Sequence, residues 1–159
     1  MTQCPAARIG DKLEDIDTPA LVVDLDALEA NIRYMSAFAT ANGVRLRPHA
    51  KTHKCSAIAR LQVEAGAVGV CCQKVGEAEA MANAGIADVL VTNEIVGRSK
   101  LDRLAALSKR IRVAVCADHP DNVAEIDAAA ARFDTVLTVL VEIDVGAGRC
   151  GTQPGEKAL

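Results

Sequence analysis

Two spacings of apolar residues take turns along this chain. Short apolar runs begin near Val44, Val68, Val89, Val113 and Val136. They recur at intervals of roughly twenty-odd residues, as expected for strands between longer elements. Between them apolar residues fall three and four apart: Leu28, Ile32, Met35, Ala39; Ile58, Leu61, Ala65; Val75, Ala78, Ala82; Leu101, Leu104, Ala105; Val123, Ile126, Ala130. That second spacing predicts helices with one apolar face. Gly43, Gly66 and Gly85 each follow a helical run, where glycine takes left-handed backbone cheaply. Ser99 with Asp102 predicts a capped helix start, and Asp118 ahead of Pro120 predicts another.

Strands alternating with helices imply a parallel sheet, and the even beat predicts an α/β fold of the (β/α)8, TIM-type barrel kind. The strands are expected at 44–46, 68–72, 89–91, 112–116 and 138–143. A closed barrel has eight strands and typically about 250 residues. The 159 residues are therefore expected to be the N-terminal part of a longer protein. Residues 1–17 read as an N-terminal extension and 18–159 as an incomplete barrel domain. An open five-stranded doubly wound sheet is the structural alternative.

Composition narrows the function classes. Apolar residues make up 50% of the chain and the net charge is -3, with both signs interleaved. No basic patch predicts a nucleic-acid partner, and aromatic residues are too few for base stacking. No apolar run approaches the roughly 20 residues of a membrane span. The six cysteines lack zinc-ribbon spacing, and adjacent Cys71 and Cys72 are expected on opposite faces of a strand. Buried, reduced thiols and a cytoplasmic location are the expectation.

The chemistry is predicted at the strand ends. Pro48 cannot donate to a ladder and ends the first run. His49, Lys51, His53 and Lys54 follow at once. A lysine at the C-terminal end of a barrel strand is a candidate Schiff-base nucleophile, although the octapeptide alone reads first as a solvated basic loop. Gln73 and Lys74, then Thr92, Asn93 and Glu94, then Asp118 and His119, then Asp144 follow the later strands. The segment Gly146-Ala147-Gly148-Arg149-Cys150-Gly151 is not a clean dinucleotide fingerprint and lacks the Lys-Ser/Thr of a phosphate loop. Its glycines are expected to turn the backbone so that Arg149 points into the barrel mouth. His49, His53 and His119 form no metal motif.

The stretch from Asp17 to Ile32 resembles the N-terminal strand and helix of alanine-racemase-type pyridoxal phosphate enzymes. The segments RPHAKTHK, GVCCQKVGEAEAM, DVLVTNEIV and VEIDVGAGRCG resemble the D-threonine aldolase/D-serine dehydratase branch, 3-hydroxy-D-aspartate aldolases in particular. The likeness runs from Asp17 to Gly151. It implies that Lys51 holds pyridoxal 5'-phosphate and that Arg149 bonds the cofactor's 3-oxygen. It also implies that Gln73, Asn93 and His49 lie near the cofactor. Residues 18–26 would form a strand joining a C-terminal β-domain beyond this chain. A divalent metal, manganese or magnesium, would be bound by ligands outside this chain.

The implied activity is cleavage of D-3-hydroxy amino acids, D-threonine or 3-hydroxy-D-aspartate, to glycine and an aldehyde or glyoxylate. A dehydratase or racemase begins from the same half-site, and a non-catalytic cofactor-binding remnant keeps the same lysine. The implied partner is a small D-amino acid, with a homodimer or monomer as the full-length form.

Overall fold

The computed structural model describes residues 7–159. Among them are five α-helices: α1 (Leu25–Ala41), α2 (Ser56–Glu64), α3 (Val75–Asn83), α4 (Arg98–Ser108) and α5 (Pro120–Arg132). Four strands complete the pattern: β1 (Val70–Cys72), β2 (Asp88–Glu94), β3 (Arg112–Ala117) and β4 (Thr138–Val141). All neighbours pair in parallel, in the order β1-β2-β3-β4. Right-handed crossovers that always advance in one direction leave the connecting helices α3, α4 and α5 on the same side. The sheet is thus a stretch of barrel wall. The doubly wound alternative needs a reversal in strand order, and none occurs.

Alternation along the strands divides the sheet into two faces. Val70, Cys72, Val89, Val91, Val113 and Val115 share one buried core with Met81, Leu101, Leu104 and Ile126 of the helices. Cys71, Leu90 and Ala114 lie in one layer across the sheet and belong to the opposite, open face. The expected split of Cys71 and Cys72 is therefore seen. Helix α1 buries only Ala39 and stands outside this core. Among the described residues no helix is long and apolar enough to cross a membrane.

The first predicted strand, 44–46, does not form. Pro48 removes one donor, and the neighbouring chain makes a looser contact with β1. Val68 N donates to Leu46 O at 3.0 Å, Cys71 N to Pro48 O at 2.7 Å and Ala50 N to Cys71 O at 2.8 Å. The result is a single parallel bridge between His49 and Cys71. Five predicted strands thus become four and a bridge. Arg47 anchors this segment through an ion pair with Asp88 at 2.8 Å. The pair crosses Gly69, where a Cβ would lie 2.3 Å from Asp88 O, so no side chain fits.

Three local expectations also change. The strand predicted over 18–26 is absent: Asp24 caps α1 by accepting from Ala27 N at 2.9 Å, and Leu25 is already helical. Gly97 precedes α4 at φ 99°, so Ser99 falls inside the helix, and Asp102 receives Arg132 Nε at 3.1 Å. His119, not Asp118, caps α5 by accepting from Asp121 N at 3.2 Å.

Candidate functional site

The parallel arrangement brings the C-terminal ends of the strands together, and the predicted lysine lies among them. Lys51 is exposed, and its Nζ donates to Gln73 Oε1 at 3.3 Å. Gln73 follows β1 directly and sits opposite the His49 bridge. Its backbone N–H donates to Glu77 Oε2 at 2.8 Å, in the first turn of α3. Glu77 also pairs with Lys54 Nζ at 2.5 Å. Burial opposes ionisation there, but Lys54 and the Gln73 and Lys74 amides hold the Glu77 carboxyl below its usual range. Of the two lysines in the loop, Lys54 is therefore held by a carboxylate while Lys51 faces a neutral amide.

His49 is part of the same group. Its Nδ1 accepts from Lys51 N at 3.3 Å, and its Nε2 lies 3.0 Å from Thr92 Oγ1. Burial first, and then the Lys51 charge, lower its pKa. His53 turns elsewhere: its Nδ1 accepts from Cys55 N at 3.0 Å, and burial lowers its pKa.

A second group gathers further along the sheet. Between Val91 and Glu94 the pairing with β3 slips, so three steps on β2 stand against one on β3. Both counts are odd, so Glu94 pairs beside Cys116 on the open face. Glu94, Glu142 and Cys150 bring ligand-type atoms within 4.8 Å of one another. Cys150 Sγ donates to Glu142 Oε1 at 2.8 Å, and this bond, with burial, pushes the thiol to about 11. Burial and then the adjacent Glu142 carboxyl raise the Glu94 pKa. Burial, with both glutamates, lifts Cys116 to about 11. Ionisation of Glu94 is thus opposed both by burial and by the neighbouring carboxyl.

The glycine-rich loop is already filled by a carboxylate. Asp144 Oδ1 accepts from Gly146 N at 2.9 Å and Gly148 N at 3.0 Å. Those amides hold its carboxyl below the usual range. The backbone donors that a phosphate would use thus face an internal anion. Arg149 is exposed beside Cys150 and is not hydrogen-bonded to the Lys51 group. Asn93 sits partly buried in the slipped stretch of β2.

Of the predicted site residues, Lys51, His49 and Gln73 are joined by hydrogen bonds, whereas Asn93 and Arg149 lie on separate strand ends. Thr92, Glu77 and Cys150 carry contacts that the sequence reading left without a role. Glu77 had a readable signal: it stands three residues after Lys74, where a glutamate reaches back to cap a helix. A groove of about 300 Å³ between α1 and residues 46–48, lined by Leu28, Ile32, Met35, Leu46 and Pro48, contains none of the predicted site residues.

This wall of parallel strands with a lysine at its first end defines a class. The chain belongs to the family described as alanine racemase, N-terminal domain, whose model matches residues 23–159. It is 54% identical over 147 residues to 3-hydroxy-D-aspartate aldolase of Paracoccus denitrificans, covering 91% of this chain and 38% of that one. It is 48% identical over 147 residues to D-threonine aldolase of Arthrobacter sp, covering 92% of this chain and 39% of that one. The crystal structure of D-threonine aldolase from Filomicrobium marinum superposes with a TM-score of 0.89 at 53% identity, over 92% of this chain and 40% of that chain. The chain thus spans about two fifths of the length of these relatives, over their N-terminal part.

Proposed function

We propose that this chain is the lysine-bearing part of a pyridoxal 5'-phosphate-dependent aldehyde-lyase that cleaves D-3-hydroxy amino acids, D-threonine or 3-hydroxy-D-aspartate. The single observation that carries the reading is the state of Lys51. Its amine is exposed at a strand's C-terminal end and touches only a neutral amide, while Lys54 is paired with Glu77. The resemblance to two aldolases at 48% and 54% identity gives the reaction class.

The residues fit such a cofactor. An amine that is to add to an aldehyde must lose its proton, and a carboxylate partner would oppose that loss. Gln73 Oε1 orients the Lys51 amine and places no carboxylate beside it. His49, neutral near pH 7 because burial and Lys51 disfavour its cation, adds no second charge beside the lysine. Arg149, exposed on its loop, would present its planar donor fork to a phenolate oxygen. Asn93 would supply an amide to the ring or substrate. When bound, the cofactor supplies an aldehyde for the amine and a ring that accepts the electrons of the breaking bond.

A manganese or magnesium ion does not fit the Glu94, Glu142 and Cys150 group. Such hard ions prefer oxygen ligands, and this thiol is held protonated by Glu142. Five described cysteines are free, which supports a reducing, cytoplasmic setting.

The test is borohydride reduction of the full-length polypeptide with pyridoxal phosphate, followed by peptide mapping. The label is expected on Lys51, together with turnover of D-threonine or 3-hydroxy-D-aspartate. Label on Lys54 or Lys74 with none on Lys51 overturns the proposal.

A further inference from the structure

We propose that Thr92 is a positioning residue that fixes the tautomer of His49 and, through it, the backbone of Lys51. The inference deepens the cofactor-lysine reading above and rests on it for its functional consequence. Its structural half stands on hydrogen-bond directions alone.

Those directions are forced from one end. The Cys72 carbonyl can only accept, and Thr92 Oγ1 lies 3.3 Å from it as the donor. A hydroxyl has a single hydrogen, so Thr92 can then only accept from the imidazole. The His49 Nε2, 3.0 Å away, must therefore carry its proton. In a neutral ring this leaves Nδ1 bare, and Nδ1 is the atom that receives Lys51 N–H at 3.3 Å. The chain runs without a break from the Lys51 amide through His49 and Thr92 to the carbonyl of β1. The bridge between His49 and Cys71 holds the other side of the same histidine.

The neutral state of His49 is consistent with its partial burial and with the Lys51 charge beside it. A cationic ring would hold a hydrogen on Nδ1 pointing at another N–H, which breaks the contact with Lys51. Thr92 thus has a role distinct from Gln73. Gln73 meets the lysine's amine, whereas Thr92 holds the main chain from which that amine projects. Thr92 directly follows buried Val91, which pairs with Cys72 at the end of β1, so its hydroxyl meets the β1 end. Valine has the same shape and no hydroxyl, so it removes the end of the chain with little change in packing.

The experiment compares Thr92→Val, Thr92→Ser and, as a matched loss of a hydroxyl elsewhere, Thr135→Val in the full-length protein. Thr135 pairs with Ser108 and belongs to no part of the site. Two readouts are taken: the nitrogen shifts of His49 by NMR, and the concentration of pyridoxal phosphate needed for half-maximal borohydride labelling of Lys51. The parent and Thr92→Ser are expected to show one tautomer with the proton on Nε2. Thr92→Val is expected to show a mixture and to need about fivefold more cofactor, the size of one hydrogen bond. Thr135→Val is expected to match the parent in both. The proposal falls if Thr92→Val keeps the single tautomer and the parental labelling, or if Thr92→Ser fails to restore either. Absence of Lys51 label from the parent would instead sink the cofactor reading, and the NMR result would still decide whether Thr92 sets the tautomer.

Discussion

On the helix-covered face of the sheet, Val70, Val89 and Val115 are fully buried in a core of apolar side chains. On the open face the same strands carry Cys71, Leu90, Ala114 and Glu94; Cys71 Sγ lies 3.8 Å from Arg47 O, and Glu94 lies beside the Glu142 carboxyl. The two faces share one backbone and one set of ladder bonds. What separates them is the alternation of side chains alone. The covered face supplies burial, which is the main source of stability, and asks only for shape and apolarity. The open face is left free to hold amines, amides and carboxyls at fixed spacing. A lysine, a histidine and a glutamine can thus be varied there with little effect on the core.

The largest way to test this division is Leu104→Ala, at a fully buried position of α4. Removing that side chain is expected to cost about 2–5 kcal/mol of unfolding free energy in urea titration. Folded protein should still label at Lys51. A cost below about 1 kcal/mol would mean that the covered face is not what holds the wall together.

A smaller effect is expected at Glu94. Its pKa is raised in the folded state, so the folded protein binds the proton more tightly than the unfolded chain. The stability this contributes is present at low pH and is lost as pH rises from the ordinary glutamate range through the raised value. Glu94→Gln removes the titration, so the variant should gain on the parent progressively as pH increases. Denaturation series across acidic to neutral pH measure that difference. A gap that stays constant with pH would show that folding does not raise the Glu94 carboxyl.

The smallest effect on folding is expected at the sheet's last strand. Among the described residues β4 pairs only with β3, and Val141 is 55% exposed. Val141→Lys should change the stability of a polypeptide of these residues by no more than about 0.5 kcal/mol. It should still lower concentration-dependent association in sedimentation, because a charged edge discourages strand addition. Unchanged association would place the sticky surface elsewhere.

The covered face was far more legible in the sequence than the open one. Helical spacing located all five helices, because each carries an apolar stripe, which in α2 to α5 joins the core under the sheet. Gly43, Gly66 and Gly85 take φ of 64°, 105° and 92°, as their places after helices implied. The failures lie where local chemistry had rival partners. Asp118 reads as a cap, yet its carboxylate accepts from Gly151 N at 3.0 Å. Asp102 reads as half of a capping box, yet two arginines claim it. At the site, Lys51, His49 and Gln73 were visible because they abut apolar runs. Thr92 was passed over: only the three-dimensional meeting of β1 and β2 gives its hydroxyl a histidine to hold. The pairing of Glu142 with Cys150 was equally hidden, since it depends on the chain folding back after β4.

The slipped register between Val91 and Glu94 has a consequence for how the gene can change. Three residues of β2 answer one step of β3, so the strand carries two spare positions, Thr92 and Asn93. Loss of one codon there would turn Glu94 and its carboxyl toward the helices, into an aliphatic interior. Loss of both would straighten the strand and leave Glu94 on its present side, although Thr92 would go with them. The length of this stretch therefore carries a parity, and insertions or deletions that respect it meet a lower barrier than those that do not.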